Sequence, residues 1–328
     1  MLESTGLRYV IASHLPRGHP PPVKAGSGDK PRLATMSLGP HLLLALMEGI
    51  VAAAVLALSA LGLSLVFGVM RIVNVAHGEF FMLGAVLAWA IAAHVAGPPA
   101  VGFALALILS PVIVGAIAIA ADRLVLRRLN YQPEATIVAT IGLLYIIQQL
   151  ALSFFGPDAR PVEPPFRFRI LFPWFGYSGY KLVVVAASAL LLTACWYLLS
   201  RTRIGLVMRA TRFDREMAQA FGIPVDRVYS GVFALGAGLA AIAGVLVVPI
   251  QQAHYLMGLE PLLLSFVVVI LGGLGNLRGT MIAAVVIGLS DGIISVFFSP
   301  TLAKILATLL VALVLVFRPN GLFGDRAR

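Results

Sequence analysis

The fold is decided by residues 42–69, which read LLLALMEGIVAAAVLALSALGLSLVFGV, an apolar run with Glu48 as its only charged residue. A bilayer core requires roughly 20 apolar residues per helix, so this run is long enough to cross it. Further apolar runs follow at short intervals, and hydrophobic residues make up 60% of the chain while charged residues make up 12%. Because soluble domains carry about 25% charged residues, the sequence predicts an all-α integral membrane protein.

Eight to nine transmembrane helices are expected. The predicted spans lie near 42–69, 78–96, 100–121, 136–155, 180–200, 228–250, 260–275, 279–297 and 301–317. Gly, Asn and Arg interrupt the apolar runs near 71–79 and 272–279. Such interruptions have two interpretations, half-helices beside a substrate path or short cytoplasmic turns.

The basic residues predict the orientation of the chain. If the loop 201–227 is cytoplasmic, alternation of nine spans places 14 basic residues on its side of the membrane and five on the other. The positive-inside rule then puts the N-terminus outside and the C-terminus inside. Since the arginines lie between apolar runs, the net charge of +10 indicates cytoplasmic loops and argues against a nucleic-acid partner.

One span is crowded with small residues. Gly236, Ala240 and Gly244 recur at every fourth position, a spacing that lets helices approach closely. This pattern predicts a packing seam, either within the subunit or against a partner.

The loop 201–227 contains a predicted amphipathic helix over 206–222. Its apolar side is formed by Ala210, Phe213, Met217, Ala220 and Phe221. Its polar side carries Arg209, Arg212, Arg215, Glu216 and Gln219, with Arg212 and Glu216 spaced for an i, i+4 ion pair. Gly222 and Pro224 are expected to end the helix. A helix of this kind either lies on the anionic leaflet or inserts into a groove of a soluble partner.

Three stretches resemble known importer permeases. Residues 216–224, EMAQAFGIP, resemble the coupling-helix region of bacterial ABC importer permeases. Residues 62–79, GLSLVFGVMRIVNVAHGE, resemble the Asn-Phe-Ala-His-Gly-Glu signature of LivH-type permeases of branched-chain amino acid importers, with Val75 where that family more often has Phe. Residues 271–279, LGGLGNLRG, are similar to the Gly-rich break before the penultimate span of that family.

The resemblance covers about residues 40–322 and implies a permease subunit of an ATP-driven importer in the bacterial inner membrane. Branched-chain or related amino acids are the implied substrates, with urea or short amides as the alternative. The sequence has no Gly-x-x-x-x-Gly-Lys-Ser/Thr loop, so ATP hydrolysis is expected in a partner chain. This chain itself is expected to have no catalytic residues and no cofactor. The implied partners are a LivM-like second permease subunit, two ATP-binding subunits and a periplasmic amino-acid-binding protein.

Two sets of candidate site residues follow, the first from the coupling-helix resemblance and the second from the interrupted segments and the isolated carboxylates of the spans. ATPase coupling is assigned to Arg209, Arg212, Phe213, Glu216, Met217, Ala220 and Gly222. The candidates for the translocation pathway are Asn74, His77, Glu79, Asn276 and Asp291. Asp291 is an isolated carboxylate deep in a span, and it has two interpretations, a proton carrier or a polar residue that packs helices.

A stand-alone secondary transporter or channel for small polar solutes is the alternative function. It would need paired charges inside the membrane, which this chain largely lacks, and no cytoplasmic docking helix. An intramembrane enzyme is disfavoured, because the histidines of the apolar region lack metal-ligand spacing and no metal site is expected.

Three domains are expected along the chain. Residues 1–36 are rich in Pro, Gly and charge without the apolar segment of a signal peptide, which predicts a disordered basic leader. Because such a leader would have to cross the membrane, a start at Met36 that leaves the leader untranslated is the alternative. Residues 37–322 are the expected permease domain, and residues 323–328 the cytoplasmic tail.

Overall fold

The computed structural model describes residues 38–317, which are helical over most of their length. The helices are α1 (Leu38–Met70), α2 (His77–His94), α3 (Pro99–Ala121), α4 (Pro133–Phe155), α5 (Gly179–Arg201), α6 (Arg203–Phe213), α7 (Arg215–Ala220), α8 (Val225–Val247), α9 (Leu259–Gly272), α10 (Leu277–Phe297) and α11 (Pro300–Phe317). A small antiparallel hairpin, β1 (Arg169–Leu171) and β2 (Gly176–Ser178), lies between α4 and α5. The predicted all-α membrane fold is confirmed, while the predicted leader and tail lie outside the described residues.

Within residues 38–317, six helices are long and apolar enough to cross a membrane, namely α1, α3 with its continuation to Leu129, α4, α5, α8 and α10. A helix occupies each of the nine segments that the sequence predicts as spans. However, α9 has 14 residues and is therefore about 21 Å long, shorter than the roughly 30 Å of a bilayer core. The expected count of eight to nine transmembrane helices stays a prediction.

The centre of the fold is formed by α1 and α8. In each of these helices 72% of the span is buried within the protein, against 22–33% in α3, α4, α5 and α10. Helix α1 packs against α8 and α10, and α8 also packs against α2 and α3. The less buried helices expose apolar side chains, as a lipid-facing layer does.

Small residues allow these central helices to approach closely. Gly62 of α1 faces Gly236 of α8, where an added Cβ would lie 2.5 Å from the Gly236 carbonyl oxygen. Gly244 faces the backbone of Phe81 in α2, and Ala240 between them is fully buried. The predicted seam is therefore confirmed, and it joins helices of this one subunit.

The first interruption, 71–79, does not form an exposed turn. Arg71 is exposed, but Ile72, Asn74 and Ala76 are buried. The next residue, His77, begins α2 with its Nε2 atom 2.9 Å from the carbonyl oxygen of Ser59. Since Ser59 precedes the end of α1 by eleven residues, or about 16 Å of helix, the chain runs back alongside α1 before α2 begins inside the fold.

The second interruption, 272–279, is a tight turn between α9 and α10. Gly273 and Gly275 have φ angles of 89° and 76°, in the left-handed region that glycine adopts without strain. Gly275 packs on Gly68 near the end of α1. The Oδ1 atom of Asn276 accepts a hydrogen bond from the Gly279 amide at 3.1 Å and so caps α10. Turn geometry is thus the better description for this interruption.

The amphipathic segment consists of two helices, so the prediction of one continuous helix over 206–222 is wrong. Asp214 separates α6 from α7 with an extended backbone, and its Oδ1 atom accepts a hydrogen bond from the Met217 amide at 2.9 Å. An aspartate that caps a new helix in this way cannot also continue the preceding one. Arg212 and Glu216 lie on opposite sides of the break and form no ion pair within 4 Å. Gly222, with φ 79°, follows the end of α7 as predicted.

Candidate functional site

The described residues enclose a cavity of about 410 Å³ between α1, α9, α10 and the loop 248–258, which we call the acidic cavity. Glu48, Glu260 and Asp291 line it, together with Gln251 and His254. The apolar part of its wall is formed by Val51, Ala52, Val55, Leu56, Phe81, Val247, Ile250, Leu256, Met257, Pro261, Leu264 and Val296. A cavity with three carboxylates on an apolar wall is suited to a small solute that carries both a positive charge and an apolar group.

Two of the three carboxylates are paired. The Lys181 Nζ atom donates hydrogen bonds to both carboxylate oxygens of Glu48, at 2.6 and 2.8 Å. The Lys304 Nζ atom lies 2.8 Å from Glu260. Across residues 38–317, Asp291 forms no ion pair within 4 Å and accepts no hydrogen bond. Asp291 is therefore the carboxylate of the cavity that no described lysine contacts directly, although the charge of Lys304, which pairs with Glu260, also acts on it.

Ser59 connects the acidic cavity to the buried polar residues behind it. Its side chain lines the cavity, its hydroxyl shares a hydrogen bond of 2.9 Å with the Ser265 hydroxyl, and its carbonyl oxygen faces the Nε2 atom of His77. Because a carbonyl oxygen only accepts, His77 donates through Nε2 and presents Nδ1 as an acceptor.

Three predicted pathway residues, Asn74, His77 and Glu79, are almost fully buried and do not line the acidic cavity. The Oδ1 atom of Asn74 accepts a hydrogen bond from the Ala76 amide at 3.1 Å. Glu79 has no exposed surface, and among the described residues neither of its carboxylate oxygens has a hydrogen-bond partner. Burying such a carboxylate costs free energy, so a carboxylate at this depth is a candidate for a functional role.

The five predicted pathway residues do not meet at one point. Asp291 lines the acidic cavity, whereas Asn74, His77 and Glu79 are buried and do not line it, although His77 contacts Ser59 of its wall. Asn276 caps the start of α10, and Asp291 lies in the second half of that helix. Sequence reasoning did not assign Ser59, Ser265, Gln251 or His254 to the site. Isolated serines and glutamines in apolar segments carry no signal of their own, because only the folded chain brings the four segments together.

The predicted coupling residues present an apolar surface. Phe213 and Phe221 are 89% and 80% exposed, and Met217 is half exposed. Ala220, Glu216 and Gly222 are exposed beside them. Exposed aromatic side chains clustered on a short helical segment indicate a surface that binds a partner. We call this surface, formed by Phe213, Met217 and Phe221, the apolar edge.

Arg215 holds α7 against the rest of the protein. Its guanidinium lies 5.7 Å from the ring centre of Tyr131 and 5.5 Å from that of Tyr229, and the two rings meet edge to face at 4.8 Å. Burial, with Asp122 and Asp226 nearby, raises the pKa of the Tyr131 phenol, which keeps that ring neutral. This cation–π arrangement anchors α7 while the apolar edge stays exposed.

Comparison with known proteins identifies the family to which this architecture corresponds. Residues 45–316 match the family model described as "Branched-chain amino acid transport system / permease component". The match covers the central helices, the acidic cavity and the apolar edge. No solved structure matches the chain.

Individual relatives agree with the family model. The high-affinity branched-chain amino acid transport system permease protein LivH of Escherichia coli K12 is 28% identical over 306 residues, covering 87% of this chain and 96% of the relative. The permease protein BraD of Pseudomonas aeruginosa, with the same transport description, is 26% identical over the same shares of both chains. The ribose import permease protein RbsC of Haemophilus influenzae is 27% identical over 196 residues, covering 56% of this chain and 60% of the relative.

Proposed function

We propose that this chain, which belongs to the family of branched-chain amino acid transport permease components, is the membrane-spanning permease subunit of an ATP-driven ABC importer for branched-chain or closely related amino acids. The observation that carries the proposal is the acidic cavity, which combines a carboxylate without a lysine partner with an apolar wall. The names of the LivH and BraD relatives support the same substrate class.

The chemistry of the acidic cavity fits a zwitterion with an aliphatic side chain. The Asp291 carboxylate can attract the substrate's ammonium group, since none of the described lysines or arginines contacts it within 4 Å. Val55, Leu56 and Leu264 offer apolar contact to the side chain. A neutral solute such as urea can donate hydrogen bonds to a carboxylate but lacks the positive charge of an ammonium group, so Asp291 favours amino acids over amides.

Beyond the cavity, the proposed path passes the wall formed by Ser59 and Ser265 toward His77 and Glu79. Helix α2 begins at this wall, and the segment before it is non-helical. Broken helices of this kind are used at the substrate sites of other transporters, because their free backbone groups face protein or water instead of lipid. His77, Glu79 and Asn74 are therefore proposed to support the path rather than to line the cavity.

Coupling to ATP is proposed to occur through α6 and α7. The apolar edge supports this proposal, because an exposed Phe213, Met217 and Phe221 fit a hydrophobic groove on a soluble partner. ATP hydrolysis is assigned to that partner. Glu216, Ala220 and Gly222 lie exposed beside the apolar edge, whereas Arg209 and Arg212, the other members of the proposed coupling set, line a cavity between α1, α5, α6 and α10.

The proposed assembly contains a LivM-like second permease subunit, two ATP-binding subunits and a periplasmic amino-acid-binding protein. The proposed orientation in the bacterial inner membrane has the N-terminus outside and the C-terminus in the cytoplasm, which places α6 and α7 at the cytoplasmic face. Residues 37–322 are the proposed permease domain with eight to nine spans, preceded by a basic leader and followed by a cytoplasmic tail.

Uptake by the complete importer tests the role of the acidic cavity. Proteoliposomes with ATP inside and the binding protein outside should take up radiolabelled leucine. Asp291→Asn removes the charge at constant size, and we expect uptake to fall about 10-fold or more, equivalent to about 1.4 kcal/mol. Glu134→Gln, at an exposed carboxylate at the start of α4, is the matched control. Leucine uptake by Asp291→Asn at the rate of the control would contradict the proposed site.

A second experiment tests the coupling assignment. Met217→Pro removes the amide that Asp214 caps, so α7 should lose its start and uptake should stop while the chain still inserts into the membrane. Met217→Leu keeps the amide and should retain uptake. Purification of the tagged chain from native membranes in mild detergent should recover a P-loop ATPase and a second permease. Normal uptake by Met217→Pro, or recovery of the chain alone, would favour a stand-alone secondary transporter.

A further inference from the structure

A second cavity, of about 240 Å³, lies between α1, α5, α6 and α10, and we call it the inner cavity. Arg209 and Arg212 of α6 and Arg278 of α10 line it, and no acidic residue does. Over the described residues none of these arginines forms an ion pair within 4 Å. The inner cavity therefore concentrates three positive charges that the rest of the described chain does not neutralise.

The arginines form one end of the inner cavity. Arg209 donates a hydrogen bond to the Leu199 carbonyl oxygen near the end of α5. The Nη2 atom of Arg212 lies 3.8 Å from the position of a Cβ on Gly275, and Gly275 packs on Gly68 near the end of α1. The end of α5, the end of α1 and the turn before α10 thus lie at the charged part of the cavity.

The wall away from the arginines is apolar. On α1 it extends from Val69 back to Leu61, eight residues or about 12 Å of helix. Leu192 and Trp196 of α5 continue it, and Trp196 is half exposed, as is common for tryptophan at the membrane–water interface. The Ser64 hydroxyl on this wall already shares a hydrogen bond of 2.9 Å with Thr280. The polarity of the cavity therefore falls in one direction, from the arginines toward the middle of α1.

We propose that the inner cavity binds an anionic phospholipid of the cytoplasmic leaflet, with its phosphate among the three arginines and an acyl chain along α1 and α5. Arginine binds phosphate through charge-assisted hydrogen bonds, and basic pockets between transmembrane helices on the cytoplasmic side bind anionic headgroups. A free phosphate ion or an acidic protein side chain would use the arginines but leave 12 Å or so of apolar wall uncovered. The proposal rests on the proposed placement of 201–227 at the cytoplasmic face.

The bound lipid would connect α6 to the helices of the membrane domain. Its headgroup contacts two residues of α6 and one of α10, while its acyl chain contacts α1 and α5. Because α6 leads directly into α7, the lipid stabilises the position from which the apolar edge is presented. The phospholipid is then a structural ligand beside the coupling segment and is not itself transported.

Native mass spectrometry of the purified full complex tests the proposal. Phosphatidylglycerol, phosphatidylcholine or inorganic phosphate is added in detergent, and the retained lipid is counted. The variant Arg209→Gln/Arg212→Gln/Arg278→Gln should retain phosphatidylglycerol at least about 10-fold less well than the wild type, since it removes three basic residues that attract an anionic headgroup. The matched control, Arg201→Gln/Arg203→Gln/Arg227→Gln, changes the same charge on exposed residues of the same loop that do not line the cavity. It should retain the lipid.

Equal loss in both triple variants would mean diffuse attraction and overturn the site. Displacement of phosphatidylglycerol by inorganic phosphate at equal concentration would identify a free-anion site and also overturn it. A phosphatidylglycerol with a photoreactive acyl chain gives a test on the wild-type complex that does not depend on a variant's folding. Adducts within 61–69 and 192–199 support the proposal, and adducts confined to other segments contradict it. Lipid retention is measured without transport. A negative result in this experiment therefore contradicts the lipid site alone and leaves the proposed importer function untouched.

Discussion

The two interruptions of the apolar sequence contain similar residues and have different structures. Each places Gly, Asn and Arg between two apolar runs. In the first, 71–79, a largely buried non-helical stretch over 71–76 lets α2 begin at His77, beside the middle of α1. The second, 272–279, is a tight turn that joins α9 to α10 at their ends. The difference accompanies the position of the glycines: Gly273 and Gly275 provide the positive φ angles of the second turn, whereas in the first interruption the residue with positive φ is Arg71, at 56°, and 72–76 contains no glycine.

The residues of the first segment disfavour helix instead. Ile72, Val73 and Val75 are β-branched, which lowers their helix propensity, and Val75 and Ala76 form a turn before α2. Non-helical backbone inside a membrane protein needs hydrogen-bond partners other than those of a regular helix. The Thr140 hydroxyl of α4 accepts a hydrogen bond from the Val75 amide at 3.2 Å, and within the segment the Asn74 side chain accepts one from the Ala76 amide. The first interruption therefore depends on its surroundings, while the second depends largely on its own glycines.

The largest expected effect comes from disturbing the surroundings of the first interruption. Gly78 lies against the backbone of Gly258, and an added Cβ would lie 2.7 Å from the Cβ of Leu262. Gly78→Leu should therefore separate α2 from α9 and destabilise the protein by more than about 4 kcal/mol. Thermal unfolding in detergent, followed by size-exclusion chromatography of a fluorescent fusion, measures this loss.

The matched substitution for that experiment is Gly142→Leu. Gly142 lies in α4, and nothing lies within 4 Å of a Cβ added there. Its midpoint of unfolding should stay close to that of the wild type. If both variants unfold at the same temperature, the interior start of α2 is not held by the contact with Gly258.

A smaller effect is expected at the glycine turn of the second interruption. Gly275→Ala forces a side chain into the left-handed region and places its Cβ 2.7 Å from the Cα of Gly68. Backbone strain of this kind costs about 1–3 kcal/mol, and the unfolding midpoint should fall accordingly. Gly231→Ala in α8, with open space around the added Cβ, is the control. An unchanged midpoint for Gly275→Ala would show that the turn can rearrange.

Much of the fold could be predicted because bilayer physics leaves few choices. Apolar runs such as 42–69 specify helices, and Gly222 and the Gly236–Gly244 seam have local causes that the sequence displays. The break at Asp214 was also visible in principle, since an aspartate before a helical run is a common N-cap signal. The apolar positions of α6 and α7 keep the same helical spacing across Asp214, so the periodicity predicts one continuous helix.

The acidic cavity could not be predicted from local sequence. Glu48 and Lys181 are separated by 133 residues, and no periodicity relates them. Whether an isolated carboxylate such as Asp291 has a cationic partner depends on which helices are neighbours. Similarly, Glu79 is buried because the chain turns back after Arg71. The residues around 71–79 are equally compatible with an exposed turn, so the sequence does not specify that burial.

The two interruptions should also differ in their effect on transport. Glu79→Gln keeps the size of the buried side chain and removes its ability to carry charge, so we expect leucine uptake to fall about 10-fold while the thermal midpoint is retained. Proteoliposome uptake at matched protein amounts checks this. A purely structural role for Glu79 gives unchanged uptake, because an isosteric amide satisfies packing equally well.

The smallest expected effect concerns Asn276 at the second interruption. Its side chain caps α10, and loss of a cap costs about 1 kcal/mol, so Asn276→Ala should lower the thermal midpoint slightly and leave uptake per folded molecule unchanged. Asn276→Asp preserves the acceptor and should restore the midpoint. If Asn276→Asp instead loses uptake at full stability, the residue belongs to the translocation path. The glycine turn would then share the functional role that the comparison assigns to the first interruption alone.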